Sequence, residues 1–595
     1  MIGGLIAALV LSSAAAVSAQ DRDAAVEPIS YEIVAAIDPA ARAIQGRERI
    51  RWRNTSSAAV NELRLHLLYN ALPAASIAVT SVRDGVSGAD LLPRATDAVD
   101  RAPVLAVPLA RAVEPGASVS LDLRWSATPP SDATSDDLVL AAHWYPQVAV
   151  HGEGGWVVHQ DAARAYTFAD AAAYDVTIDV PGGWNVAATG HEEHSGEGAR
   201  SRRFVLSPAS DFAFAVGRSW IERRARVEVG SRPPVDVRLL IRPEHAGHLD
   251  RIEAGVRTAL QRAEVAAAPF PYRDLAVVDL PWRSRSSREA YPGLVAIAVP
   301  WLEPARVTEL EAALAGALAR HCWQTVVIAD LTTHRWMVDG LTMYSGGRLL
   351  AHLVQRQLDS TNPDGFFVVR YFGGFVPYAV RAIRTAARGG ELPEIRRSAL
   401  AIETLERYVG WPAFEAMLAG YAGAYAQHHP APDDFVRVAE TASGRDLRWF
   451  FDEALGSTRV FDYALPRVVS DAAAGSHRTQ VTVARAGDAV FSGSSRPPIG
   501  PFQSGRAIAI TTTFADGTRA DETWDGRAPS FTFVYESAAA ARSVVVDPDG
   551  ILALDVRRTN NSWTAAPAGP ATATRWSAVW LAWLENALLT WASLV

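Results

Sequence analysis

No lysine occurs anywhere in the sequence, so arginine supplies all 57 basic residues. With abundant alanine and glycine, that bias reads as the coding habit of a GC-rich bacterial genome. Cysteine is nearly missing too. Cys322 stands alone, so no disulfide can form within the chain and stability must come from core burial. A basic excess is also lacking: the net charge is −8 and the pI near 6.0, which leaves no electrostatic footprint for nucleic acid. What is present is a globular profile, with 49% apolar and 21% charged residues. At 595 residues the chain is too long for one domain.

The first 19 residues read as a targeting segment. Ile2 to Leu11 are apolar, and Val17-Ser18-Ala19 suits a signal-peptidase site. The expectation is export, to a bacterial periplasm. From 28 to 224 the pattern is β. Tyr31 to Ile37 alternates into the turn Asp38-Pro39, and Gly46 to Asn54, Asn61 to Tyr69, Ser118 to Trp125 and Tyr174 to Val180 follow the same rule. Many short strands between such turns indicate an all-β domain of sandwich or saddle type.

The period then shifts. Between 225 and 460, strands at Val235 to Ile241, Leu275 to Leu280 and Leu294 to Val299 alternate with helical spacing at His248 to Ala268 and Val307 to Val327. Helices follow at Ser398 to Tyr408, Pro412 to Gln427 and Asp433 to Thr441, giving an α+β domain. Strands return over 461–560, with Phe514-Ala515-Asp516-Gly517 as a hairpin turn, in a sandwich of immunoglobulin size. Residues 561–574 read as a linker, and 575–595 as a terminal helix. Trp576, Trp580, Trp583, Ala587 and Trp591 fall on one stripe of that helix, which could dock on the protein, lie on a membrane or span one.

The chemistry centres on Ala317 to Gly340. A metallopeptidase helix of H-E-x-x-H type places two histidines on one face to grip zinc, with the glutamate as general base. Here Ala317, Leu318 and His321 stand at those positions, followed by Trp323. Downstream, Trp336-Met337-Val338-Asp339-Gly340-Leu341-Thr342-Met343-Tyr344 parallels the helix that supplies a third ligand. Together with Gly46 to Asn54, His143-Trp144-Tyr145-Pro146-Gln147, Asp211-Phe212-Ala213, and Trp449-Phe450-Phe451, these segments resemble the membrane alanyl aminopeptidase family. Those are the gluzincin zinc peptidases that include aminopeptidase N. The resemblance implies a multidomain α+β fold: an N-terminal β saddle, a thermolysin-like peptidase domain, an immunoglobulin-like sandwich and the terminal helix.

It also implies where function has been lost. The first zinc histidine falls on Ala317 and the general base on Leu318. The amine-binding glutamate falls on Ala290, within Ser287-Arg288-Glu289-Ala290-Tyr291-Pro292-Gly293. Glu289 is adjacent, but a one-residue shift on a strand turns a side chain to the other face. The transition-state tyrosine falls near Ile395 and Arg396. What the resemblance retains is His321 and Asp339 as residual ligand positions, with Glu289, Tyr291, Trp336 and Tyr344 around the former cleft. No cofactor is expected; zinc would require a rearranged site. His321 and Asp339 are expected to pair by a hydrogen bond that raises the histidine's pKa, with Arg320 on a neighbouring helical face.

The expected function is therefore a catalytically inactive pseudopeptidase holding a peptide or protein partner. An active metallo-aminopeptidase and a membrane-associated structural component are the alternatives. Weaker signals have plainer readings. Cys322 beside His321 suggests a nucleophile pair, but neighbours on a helix diverge and a buried thiol is expected. His428-His429 reads as solvated, and Asn54-Thr55-Ser56 and Asn560-Asn561-Ser562 as turns. Arg283, Arg285 and Arg288 could receive an acidic ligand or form a solvated loop.

Overall fold

Alternation sets the first strand. In Ile29–Asp38 every second side chain from Ile29 to Ile37 is buried, and the strand ends where Asp38 Oδ1 accepts the N–H groups of Ala40 and Ala41. The chain reverses there into Ala43–Arg53, antiparallel to the first strand. The computed structural model describes residues 27–92, 102–131, 134–135, 137–158, 168–193, 200–262, 270–281, 290–299, 309–355, 391–473, 475–493 and 508–567, and residues 569, 570, 574, 577, 581 and 584 of the tail. The expected targeting segment, Arg283, Arg285, Arg288, Glu289, the Arg396 side chain and the tail tryptophans lie outside the described residues.

The molecule is multidomain and mixed α+β. In its first part Ile29–Asp38 also pairs parallel with Ala172–Asp179, inside a seven-stranded sheet. Two-, three- and four-stranded sheets complete this part, and Trp125, Trp144, Tyr31, Tyr145 and Phe212 fill its core. Gly46 is required there: a Cβ would lie 2.2 Å from the Trp125 ring.

A five-stranded sheet follows. Ile221–Val229 spans the boundary expected at residue 224 and pairs with Arg232–Ile241. Arg232–Ile241, Asp274–Asp279 and Leu294–Ile297 run parallel, and the two-residue strand Ala290–Tyr291 closes the sheet antiparallel. Helices Leu249–Gln261, Glu309–Arg320 and Leu341–Gln355 cover one face through Ile252, Val256, Leu314 and Leu349. The other face packs on the first part through Leu138, Ala215, Trp220, Val278 and Leu294.

Helices Glu391–Val409, Trp411–Ala424, Pro432–Ser443 and Arg448–Ala454 share one continuous core with the last two sheets, through Phe450, Phe461, Tyr463, Phe491 and Val544. The strand Ser562–Thr564 extends the second of these sheets into the stretch expected as linker. No helix among the described residues is long and apolar enough to cross a membrane.

Candidate functional site

The helix Glu309–Arg320 does not end at the motif. It widens into a π-helical turn over His321–Val326, where the sequence pattern alone predicts one continuous helix. Thr325 holds the widened turn by donating its hydroxyl to the His321 carbonyl at 2.7 Å. Ala317 and Leu318 face the sheet and belong to the apolar layer that contains Val295, Ile297 and Leu349. Both side chains therefore serve core packing and offer neither a metal ligand nor a base.

His321 is completely buried. The Gly293 N–H donates to its Nε2 at 3.0 Å, which fixes that nitrogen as an acceptor. The proton then resides on Nδ1, within 3.3 Å of Thr325 Oγ1. The rings of Phe270 and Tyr272 lie 4.7 and 5.2 Å away. Burial in this surrounding pulls the imidazole pKa down to about 3, so the ring is neutral at physiological pH.

Gly293 reaches this position through local geometry. It follows Pro292 in the tight turn between Ala290–Tyr291 and Leu294–Ile297, and its φ is +71°. Proline followed by a glycine of positive φ suits a type II turn. A Cβ there would sit 3.0 Å from the Asp274 carbonyl oxygen.

Asp339 does not meet His321, which corrects the expected pair. Its Oδ1 accepts from Arg320 at 3.1 Å and its Oδ2 from Arg335 at 2.8 Å. Arg320 also reaches Gln324 Oε1 at 3.3 Å. The carboxylate side chain is 2% exposed, so it lies between two guanidinium groups almost out of water. A second π-helical turn, Trp336–Gly340, presents it just ahead of Leu341–Gln355. The physical reason is charge: a buried carboxylate is stabilised far more by two cations than by one neutral imidazole. The expected rise in the His321 pKa is likewise reversed, because burial acts without a carboxylate to oppose it.

The remaining expected positions are placed as follows. Ala290 and Tyr291 are buried on the edge strand, and the Tyr291 ring lies 6.0 Å from that of His143. Trp336 packs edge-on against Phe435 in the helical core. Tyr344 is buried against Phe414 and donates to Glu406 at 2.5 Å. Cys322 is buried and its thiol is pushed up to about 12, which removes the reactive thiolate. His428 is exposed as expected, whereas His429 is part-buried and contacts the Ile328 carbonyl at 2.9 Å and Asp170 at 2.8 Å. Asn54 is buried and donates to the carbonyls of Ala58 and Val113. Asn561 donates to Asp555.

Sequence reasoning missed a set of histidine–aspartate pairs. His245, in the 3-10 turn Pro243–His248 that follows the strand Arg232–Ile241, places its Nδ1 2.6 Å from Oδ2 of Asp279 at the end of the neighbouring parallel strand, with both side chains buried. His143 meets Asp211 at 2.8 Å, and His191 meets Asp274 at 3.0 Å. Asp279 ends an apolar run (Leu275 to Val278) and is itself fully buried, a signal that it needs a partner. A shallow concavity near the motif is lined by Phe168, Gln324, Ile328, Leu331, Thr332 and Val338.

No protein-family model matches the chain, and no curated protein matches its sequence. Zinc, which the resemblance implies, does not fit these residues. The Nε2 lone pair of His321 is taken by a backbone amide, and both oxygens of Asp339 are taken by arginines. Among the described residues, no group of three or more His, Cys, Asp or Glu side chains gathers in a metal-holding arrangement.

Proposed function

We propose that the chain is an exported, aminopeptidase N-like protein whose zinc site has eroded, and that it holds a peptide or protein partner in the former cleft without cleaving it. On this reading the first part is the β saddle, the five-stranded sheet and its helices are a thermolysin-like domain, and the last two sheets are an immunoglobulin-like sandwich. The order of edge strand Ala290–Tyr291, helix Glu309–Arg320 and helix Leu341–Gln355 supports that assignment. One observation carries the loss of chemistry. Of the two surviving ligand positions, His321 has its one acceptor lone pair taken by the Gly293 amide, and Asp339 has each oxygen bound by a guanidinium group whose positive charge opposes a metal cation.

The binding part of the proposal rests on the edge strand. Among the described residues no further strand pairs beyond Ala290–Tyr291. Both residues are buried, so an extended segment would add to the sheet through main-chain hydrogen bonds only by displacing what covers that edge, and peptide capture of this kind needs no catalytic group.

The purified full chain, incubated with a mixture of unblocked peptides, tests both parts. The expected result is peptide recovered intact, part of it co-eluting with protein on gel filtration, with no stoichiometric metal by elemental analysis. Stoichiometric zinc with chelator-sensitive trimming of N-terminal residues would establish an active metallo-aminopeptidase instead. Intact peptide that never co-elutes would reject the binding role.

A further inference from the structure

The outermost strands of an open sheet carry unpaired N–H and C=O groups, and proteins blunt such edges with proline, charge, a bulge or shortness. Nearly every edge here follows that rule. Ser76–Asp84 has a register shift between Val79 and Ser81 and carries Arg83 and Asp84. Ile221–Val229 has a shift after Val227 and five charged residues, Glu222, Arg223, Arg224, Arg226 and Glu228. Val104–Val113 contains Pro108, and Tyr463–Ala473 contains Pro466 with a shift between Ala464 and Arg467. Arg519–Trp524 carries Arg519, Asp521 and Glu522. The other described edges are two to four residues long.

Ser530–Ser537 departs from it. This strand has eight residues, no proline or glycine, and a single charge at Glu536. It pairs with Ser476–Arg485 without any register shift, and among the described residues nothing pairs with its other side. Phe531, Phe533 and Tyr535 form a ladder along it, with ring centroids 4.8 and 6.5 Å apart. Phe531 is 48% exposed and Val534 50%. A chain without lysine also lacks the commonest edge-protecting residue.

We propose that this edge pairs with the same edge of a second copy, antiparallel, about a two-fold axis at Phe533. The strand is complementary to itself in that register. Phe531 falls opposite Tyr535, Phe533 opposite Phe533, Thr532 opposite Val534, and Glu536 opposite uncharged Ser530. Every aromatic then faces an aromatic and no like charges meet, the pairing that stabilises antiparallel strands. Centring the axis on Val534 instead leaves Phe531 facing Ser537. The contact is isologous, so it closes as a dimer and does not propagate.

Sedimentation velocity of the full chain across the micromolar range tests the dimer. Thr532 and Val534 both point away from the core, and Thr532 gives up only an exposed hydroxyl contact with Thr482 when replaced. The Thr532→Lys/Val534→Lys double variant therefore sets cations against each other across the axis. The expected result is a concentration-dependent dimer for the natural chain and a monomer for the double variant, with unchanged circular dichroism and with the melting of the natural chain at concentrations too low for it to dimerise. The register is read by cysteine crosslinking, which is clean because Cys322 is buried. Single variants Thr532→Cys and Val534→Cys, oxidised together, should give a mixed disulfide dimer, and either alone should give little. A monomeric natural chain, a dimer that survives the double variant, or crosslinking that ignores the pairing of 532 with 534 would each overturn the proposal. So would a monomer whose edge is covered only by an added foreign peptide.

Discussion

His321 and Asp339 sit on facing turns of the same motif, and both are almost wholly buried, yet they answer burial in opposite ways. His321 sheds its charge. It is neutral, caged by Phe270 and Tyr272, and accepts a single backbone amide. Asp339 is instead surrounded by the guanidinium groups of Arg320 and Arg335. A group that can become neutral at modest cost does so when buried, whereas a buried carboxylate is commonly matched by cations. On the proposed reading these two positions would share one metal in a working peptidase; here they belong to separate structural units.

The two halves should therefore respond differently to perturbation. Asp339→Ala leaves two largely buried arginines around an uncompensated gap, and removing one partner of a buried ion pair costs about 3–5 kcal/mol. The urea midpoint of this variant should fall by the corresponding amount. Asp339→Asn, which keeps the shape and one acceptor oxygen, should recover part of it. A loss no larger than a surface ion pair's, within about 1 kcal/mol, would show that the arginines hold one another through other contacts.

The histidine half should show itself in the pH dependence. Its folded pKa of about 3 lies below the ordinary value of 6.5, so the unfolded chain binds the extra proton. The contribution of His321 to stability is complete above pH 6.5 and is lost as pH falls from there toward the folded value. Each pH unit in that window is worth roughly 1.4 kcal/mol. Relative to His321→Gln, whose amide oxygen can accept from Gly293, the natural chain should lose about 2 kcal/mol more stability between pH ~7 and ~5. Parallel pH profiles for the two proteins would mean that His321 is already reached by water.

Much of the framework was legible because strands and turns are local. The alternation in Ile29–Asp38 and the turn at Asp38-Pro39 announce themselves within a few residues. The π-helical turns did not, since widening a helix by one residue leaves its composition unchanged and moves every later side chain to a new face. The His321–Asp339 pair was expected from the resemblance, and Arg320, on the neighbouring helical face, meets Asp339 instead. The histidine–aspartate pairs were illegible for another reason. His429 and Asp170, or His245 and Asp279, come together only through tertiary packing, and nothing near either residue in sequence names its partner.

The glycine beside Asp339 gives the smallest expected effect and separates retention for packing from retention for chemistry. Gly340 lies where helix Glu391–Val409 crosses the motif, and a Cβ on it would come within 2.7 Å of the Ser398 Cβ. Alanine in place of a helical glycine ordinarily gains up to about 1 kcal/mol. Overpacking against a buried neighbour costs about 1–3 kcal/mol. Gly340→Ala should therefore destabilise the chain by about 1 kcal/mol net, because Ser398 is itself buried and has little room to move. Pairing it with Ser398→Gly removes the opposing Cβ, and a double-mutant cycle by urea denaturation should recover most of the clash energy. Additive losses in that cycle would mean that the helices do not meet at this glycine, and its persistence in the motif would then need a cause other than packing.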